Sequence, residues 1–280
     1  MQSRKMFPSF LIGCFLSLSA FTASAQLDSL PAEDWDAYLS QFKKQTGSIT
    51  LNMALKKVAP VAGYPFLVIS NVRFLDCNKQ GLPSPREYNN LVKISDSVLA
   101  LLKQSTPAIA AGSYTILCER LEYFYVKDTA AVRERMNTLF KNRFTGYTLL
   151  LQIKEDKEWS TYLKFLYPKD ETLEIMANQK IIARMQKAGD MLQRSRPVDH
   201  FAYFKTEADR NCFIAAITKK KLAPGAKETT TDFPGYPYKL AFTQLTSISL
   251  SSMSKMTFEL KRQAALCYGK YDGWETVIVK

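Results

Sequence analysis

His200 is the single histidine of this 280-residue chain, so a hydrolytic triad or an imidazole–metal site would have to be built on it. A triad needs a nucleophile and an acid within reach of the ring. The nearest acid in sequence is Asp199, and on a strand adjacent side chains leave from opposite faces. No Gly-x-Ser-x-Gly elbow is present to carry a serine nucleophile. One histidine without a ligand-spaced partner does not make a zinc site. The acidic pairs Glu155-Asp156 and Asp170-Glu171 fall where helices are expected to begin, where carboxylates complement the helix dipole. Carboxylates that cooperate in glycoside hydrolysis meet only in space. A hydrolase assembled from dispersed carboxylates therefore stays open as the alternative reading. The chain has no glycine-rich phosphate loop. Tyr123, Phe124 and Tyr125 would offer a stacking face, but an amphipathic strand buries one side of such a run. No catalytic, cofactor or metal constellation is expected.

Five cysteines are present, Cys14, Cys77, Cys118, Cys212 and Cys267, with no Cys-x-x-Cys spacing. The last four are too sparse for a disulfide scaffold in a chain of this length. Cys118 sits in an apolar strand pattern, and Cys212 and Cys267 lie on helical apolar stripes. Packing as small buried hydrophobes is the role expected for these three. The formal net charge is +12, spread along the chain, and Lys219-Lys220-Lys221 is the one run of three basic residues. A nucleic-acid protein concentrates charge in a stripe with aromatics between, so nucleic acid is not an expected partner. Weak polyanion binding is a third reading that rests on net charge alone.

The elements that would position any such residues begin behind an export signal. Arg4 and Lys5 supply a positive start, Phe10 to Phe21 an apolar core, and Ala23 and Ala25 the small residues of a cut before Gln26. The apolar run is shorter than the ~20 residues that a spanning helix needs. Leu11-Ile12-Gly13-Cys14 has the form of a lipoprotein box, but cutting there would leave a greasy Cys14–Phe21 stretch on the mature chain. Cleavage between Ala25 and Gln26 is the expectation, giving an exported periplasmic or secreted protein.

The mature chain reads as two α+β units, residues 26–169 and 170–280. In the first, Trp35, Tyr38, Leu39 and Phe42 at helical spacing predict a helix over Pro31–Phe42, ended by Gly47. Strands are expected over Ser48–Val58 and Phe66–Leu75. Ser84-Pro85-Arg86-Glu87 is a capped helix start, with Tyr88, Leu91, Val92, Ser95, Leu99 and Leu102 as the buried stripe. A hairpin (Gly112–Cys118, Leu121–Val126), a helix (Thr129–Phe140), a strand (Tyr147–Ile153) and a short helix capped by Asp156 follow. In the second unit, helices are expected over 172–188, Thr206–Thr218 and Ser254–Tyr268, with strands over Val198–Phe204, Tyr238–Leu250 and Trp274–Val279. Antiparallel sheets with helices packed on them are the natural layers, the second unit being of the ferredoxin-like kind. Gly269 and Gly273 are read as a helix exit and a strand entry, and Trp274 as a buried cover on the helical core.

Trp35-x-x-Tyr38, Asn52, the Asp76 to Gly81-Leu82-Pro83 loop, Glu122-Tyr123-Phe124-Tyr125-Val126 and Asp156-x-x-Trp159-x-x-Tyr162 occur in this order. On them the span from Trp35 to Pro168 resembles the domain-of-unknown-function 695 family, which has no assigned activity. Gly189-Asp190, Val198 to Phe204 and Tyr271-Asp272-Gly273-Trp274-Glu275-Thr276 give the span from Ala177 to Lys280 its resemblance to the family of the ribonuclease E inhibitor RraB. That resemblance implies a ferredoxin-like fold that works by binding a protein. The export signal and the basic charge depart from the family pattern and argue against ribonuclease E as the partner. The expectation is a non-catalytic binding or regulatory protein of the bacterial envelope, without cofactor, whose partner is a protein. His200, Tyr271 and Asp272 are the expected interaction surface.

Overall fold

The computed structural model describes residues 30–280. The expected export signal, with Cys14, Ala25 and Gln26, lies outside the described residues.

The N-terminal part is a six-stranded sheet. Its strands are β1 (Trp35–Phe42), β2 (Gln45–Asn52), β3 (Phe66–Arg73), β4 (Ala108–Ile116), β5 (Glu119–Val126) and β6 (Thr148–Glu155). They are arranged in the order β1-β2-β4-β5-β3-β6, every pair antiparallel. The expected first helix is thus a strand. Lys43 and Lys44 adopt positive φ and turn the chain back, and β1 pairs with β2 along its whole length. Side chains then alternate. Tyr38 points into the core, where its hydroxyl donates to the Leu166 carbonyl at 2.9 Å, while Trp35 and Leu39 are exposed on the other face. Gly47 is not a helix stop but a mid-strand residue, and a Cβ there would stand 2.4 Å from the Tyr114 ring. β2 ends at Asn52, whose side chain accepts from the Ala54 amide and caps a 3₁₀ turn, Met53–Lys57.

Helix α1 (Pro85–Ser105) joins β3 to β4, and α2 (Val132–Arg143) joins β5 to β6. Ser84 caps α1 by accepting from the Glu87 amide at 3.2 Å, as its sequence announces. The buried stripe of α1 is Leu91, Ile94, Val98 and Leu102, rotated from the expected one. These side chains meet Val68, Val72, Phe124 and Val126 of the sheet, together with Val132, Met136 and Phe140 of α2. Tyr88 and Ser95 are left on the flank. The other face of the sheet packs Leu51, Leu67, Tyr123 and Tyr125 against Trp159, Tyr162 and Leu166. The last two belong to a short π-helical turn, Thr161–Leu166. Asp156 anchors that turn, accepting from the Ser160 and Thr161 amides and the Tyr125 hydroxyl.

In the C-terminal part, α3 (Asp170–Lys187) precedes β7 (Arg196–Phe204), α4 (Glu207–Lys219), β8 (Lys227–Thr229), β9 (Tyr238–Thr246), α5 (Leu250–Leu266) and β10 (Gly269–Thr276). The antiparallel sheet runs β10-β7-β9-β8. A βαββαβ chain in that strand order is the ferredoxin-like arrangement, here with α3 added in front. The last strand begins at Gly269, five residues earlier than expected. Gly269 lies there because a Cβ would stand 2.2 Å from the Phe204 ring.

The cysteines also depart from expectation. Cys77 is disulfide-bonded to Cys118 and Cys212 to Cys267. The first bond ties the loop after β3 to the β4–β5 turn, and the second ties α4 to the end of α5. Partners 41 and 55 residues apart meet only once the sheets have formed, and spacing along the chain does not show this.

Candidate functional site

His200 stands in the middle of β7, opposite Phe242 of β9 and Trp274 of β10. It is fully buried, with its ring stacked on Phe242 at 5.0 Å. Its Nδ1 is 2.8 Å from the Tyr271 hydroxyl, and Nε2 has no partner. Burial pushes the imidazole down to about 4, against a weaker upward pull from Asp199. Burial likewise pushes the Tyr271 hydroxyl up, with Glu174 and Asp272 adding to it. The Trp274 indole donates to Asn178 of α3 at 2.7 Å, and Asn178 donates to Thr257 of α5 at 2.8 Å. Together they form a polar tie between the sheet and its helices.

Of the expected interaction surface, only Asp272 is exposed. It is the extra residue of a bulge between Tyr271 and Gly273, where Gly273 has φ +115°. The bulge lets Tyr271 and Trp274, three residues apart, both turn inward. That inward turn accompanies the burial of Tyr271, whereas His200 is inside by the alternation of β7, in line with Val198, Ala202 and Phe204; neither is a surface residue.

A second polar assembly borders a groove. Helices α1 and α2 cover the β5–β3–β6 half of one sheet face. On that same face the β1–β2–β4 half carries short and polar residues. Thr50, Ser113, Glu122 and Ser70 follow one another across β2, β4, β5 and β3 in register, and Ser48, Thr115 and Arg120 form the neighbouring row. The flank of α1, with Tyr88, Asn89, Ser95 and Asp96, makes one wall of a groove over these rows. Trp35 stands at one end, and Leu82 and Pro83, on the loop held by the Cys77–Cys118 disulfide, stand at the other.

Glu122 is the center of this groove. It is 4% exposed; its Oε1 accepts from Arg120 Nε at 3.1 Å and from the Ser95 hydroxyl. Its Oε2 has no partner, nor has the Ser70 hydroxyl beside it. Burial raises the carboxyl above its ordinary range, Arg120 and Ser95 oppose this, and Asp96 reinforces it. A buried carboxyl oxygen left without a donor or acceptor costs free energy unless something else reaches it.

Residues 33–167 match the family of unknown function DUF695. Residues 175–276 match the family of regulator of ribonuclease activity B, RraB. The N-terminal part of the chain is thus similar to the DUF695 family and the C-terminal part to the RraB family. Comparison with curated proteins gives no match. Among solved structures, a protein assigned as a glycine cleavage system transcriptional repressor is similar at 12% identity, over 76% of this chain and 98% of that one, with a TM-score of 0.19.

The groove belongs to the DUF695 part and the His200 network to the RraB-like part. Of the groove, the sequence yields Glu122 only as one residue of a strand run. The signal available was the polar residues inside otherwise apolar strands. Ser113, Thr115 and Glu122 break the apolar pattern on the face that α1 partly covers.

Proposed function

We propose that this chain is an exported binding protein of the bacterial envelope that acts by holding a ligand or partner rather than by turning over a substrate. The observation that carries the binding reading is the groove around Glu122, built from rigid strands and one helix, with a sealed carboxyl oxygen left unpartnered. Convergent polar groups in a concave site held by regular elements are the usual form of a binding pocket. Two features support export. The first residues read as a leader with a cut expected before Gln26, and Cys77, Cys118, Cys212 and Cys267 form two disulfides, which persist in oxidising compartments. The RraB-like part supports a regulatory role through a protein partner, and the basic charge favours an envelope partner over ribonuclease E. The test is fractionation of producing cells followed by intact-mass analysis. Protein recovered from the envelope, beginning at Gln26 with all four cysteines oxidised, is expected. A cytoplasmic, reduced and uncleaved chain would contradict export.

One observation favours a hydrolytic second reading. Asp96 and Glu122 line the same groove, and Glu122 is held in its protonated form more readily than a free carboxyl. A raised acid beside a second carboxylate is the arrangement of a glycosidase. Release of reducing ends from an oligosaccharide, abolished by Glu122→Gln, would favour it. No release is the outcome that the binding reading expects.

A further inference from the structure

We propose that the groove of the DUF695 part binds an uncharged or amino-substituted oligosaccharide. This rests on the reading of the groove as a binding site and names the class of its ligand.

The ends of the groove carry aromatic rings. Trp35 is 43% exposed at one end and Tyr88 51% exposed at the other. Between them the floor is hydroxyl groups and the Arg120–Glu122 pair. Exposed rings offer an apolar face with a polar edge, which suits the C–H face of a pyranose. Each sugar hydroxyl both donates and accepts, and so complements a floor that mixes hydroxyls, a guanidinium and a carboxyl group. Glu122 lines the groove, and its Oε2 is buried without a hydrogen-bond partner, so the carboxyl has capacity that the fold leaves unused.

Other ligand classes fit less well. An extended peptide adds to a free strand edge, whereas this floor is the face of strands already paired on both sides. An anionic ligand would meet Glu122 and the exposed Asp96 against one arginine. A nucleic acid would need a basic stripe, and an acyl chain would need an apolar floor.

The chain reports on this site by its own fluorescence. It has three tryptophans, and Trp159 and Trp274 are buried, so a ligand-induced change in exposed indole emission reads Trp35. The full chain is titrated with the N-acetylglucosamine tetramer, the glucose tetramer, tetra-alanine and a soluble envelope extract. A saturable response to at least one tetrasaccharide is expected. Glu122→Gln and Thr50→Val should each raise its dissociation constant about tenfold, the equivalent of about 1.4 kcal/mol, with an unchanged far-UV spectrum. If Glu122→Gln alters that spectrum, Thr50→Val carries the test. No response to either tetrasaccharide, or equal affinity in a folded variant, overturns the saccharide assignment. A response to tetra-alanine or to the extract alone also overturns it while the binding reading stands. Silence toward all four overturns both.

Discussion

The indole nitrogen of Trp274 donates to the side-chain oxygen of Asn178 at 2.7 Å, so the last strand is tied to the first helix of the RraB-like part. Both residues are buried. Trp274→Ala is expected to destabilise the chain by about 3–5 kcal/mol, the range for losing a packed aromatic. Trp274→Phe keeps much of the volume and loses the donor, leaving Asn178 unsatisfied at a cost of about 1–3 kcal/mol. Urea denaturation of the two variants checks the order. Equal, small losses would mean that the tie holds nothing.

Stability is expected to fall on acidification between the ordinary histidine value of 6.5 and about 4, because His200 is neutral inside the fold. Above 6.5 the ring is neutral in both states and contributes no pH dependence. Below it the unfolded chain takes up a proton that the folded chain refuses until about 4, so acid favours unfolding across that window. The full effect is roughly 3 kcal/mol, from the size of the shift. His200→Phe should flatten the denaturation midpoint between those pH values. An unchanged slope would place the pH dependence elsewhere.

Asp156 acts in the same direction at lower pH. Burial alone would raise its carboxyl, but hydrogen bonds from Thr161, Tyr125 and Ser160 together outweigh burial and lower it. A depressed carboxyl adds stability that is present above its unfolded value and is lost as pH falls through the folded one. Asp156→Asn should therefore reduce stability at neutral pH and narrow the difference from the native chain in acid. Thermal melts at the two pH values measure this, and a constant difference would contradict it.

Each disulfide closes a loop, the cysteines lying 41 and 55 residues apart, and loops of that size correspond to about 4 kcal/mol each in the chain-entropy account. Replacing Cys77 and Cys118 by Ser should cost stability of that order. It should also loosen the Leu82–Pro83 end of the groove, since Gly81 packs on Leu117 of the turn that the disulfide holds. Replacing Cys212 and Cys267 should cost as much without touching the groove. Denaturation of each double variant, with ligand affinity measured beside it, separates the two. Equal effects of both pairs on affinity would refute the local role.

The two parts are expected to fold separately as residues 26–169 and 170–280. Each has its own sheet and its own core clusters, as independent domains do. Among the contacts between them is an ion pair between Asp36 and Lys180, with Lys180 largely exposed, and pairs of that kind contribute little. Cooperative melting of each piece alone is the expected result. Failure of both would mean one integrated core.

Much of this fold is legible in the residues. The Ser84 cap and the Thr206–Asp209 capping box mark true helix starts, because these signals are local. Trp35 to Phe42 misled, because Trp35, Tyr38, Leu39 and Phe42 satisfy a helical spacing while strand pairing with β2 decides the outcome. On α3 the buried stripe includes Glu174 and Asn178, polar residues that an apolar pattern passes over. His200 and Tyr271 were expected outside and lie inside: His200 follows the inward alternation of β7, and Tyr271 turns inward beside a bulge at Asp272 of β10. Glu122, Thr50 and Ser113 come together across three strands, a meeting that depends on register and so cannot be seen along the chain.

The central claim is that the ligand seats on the polar rows beside α1. Hydrogen–deuterium exchange of the full chain, with and without envelope extract or a tetrasaccharide that elicits the Trp35 response, tests it directly. The account predicts new protection in segments 48–50, 88–96 and 113–122, which needs about tenfold more ligand in Glu122→Gln. Protection confined to the RraB-like sheet, with those segments unchanged, would contradict it.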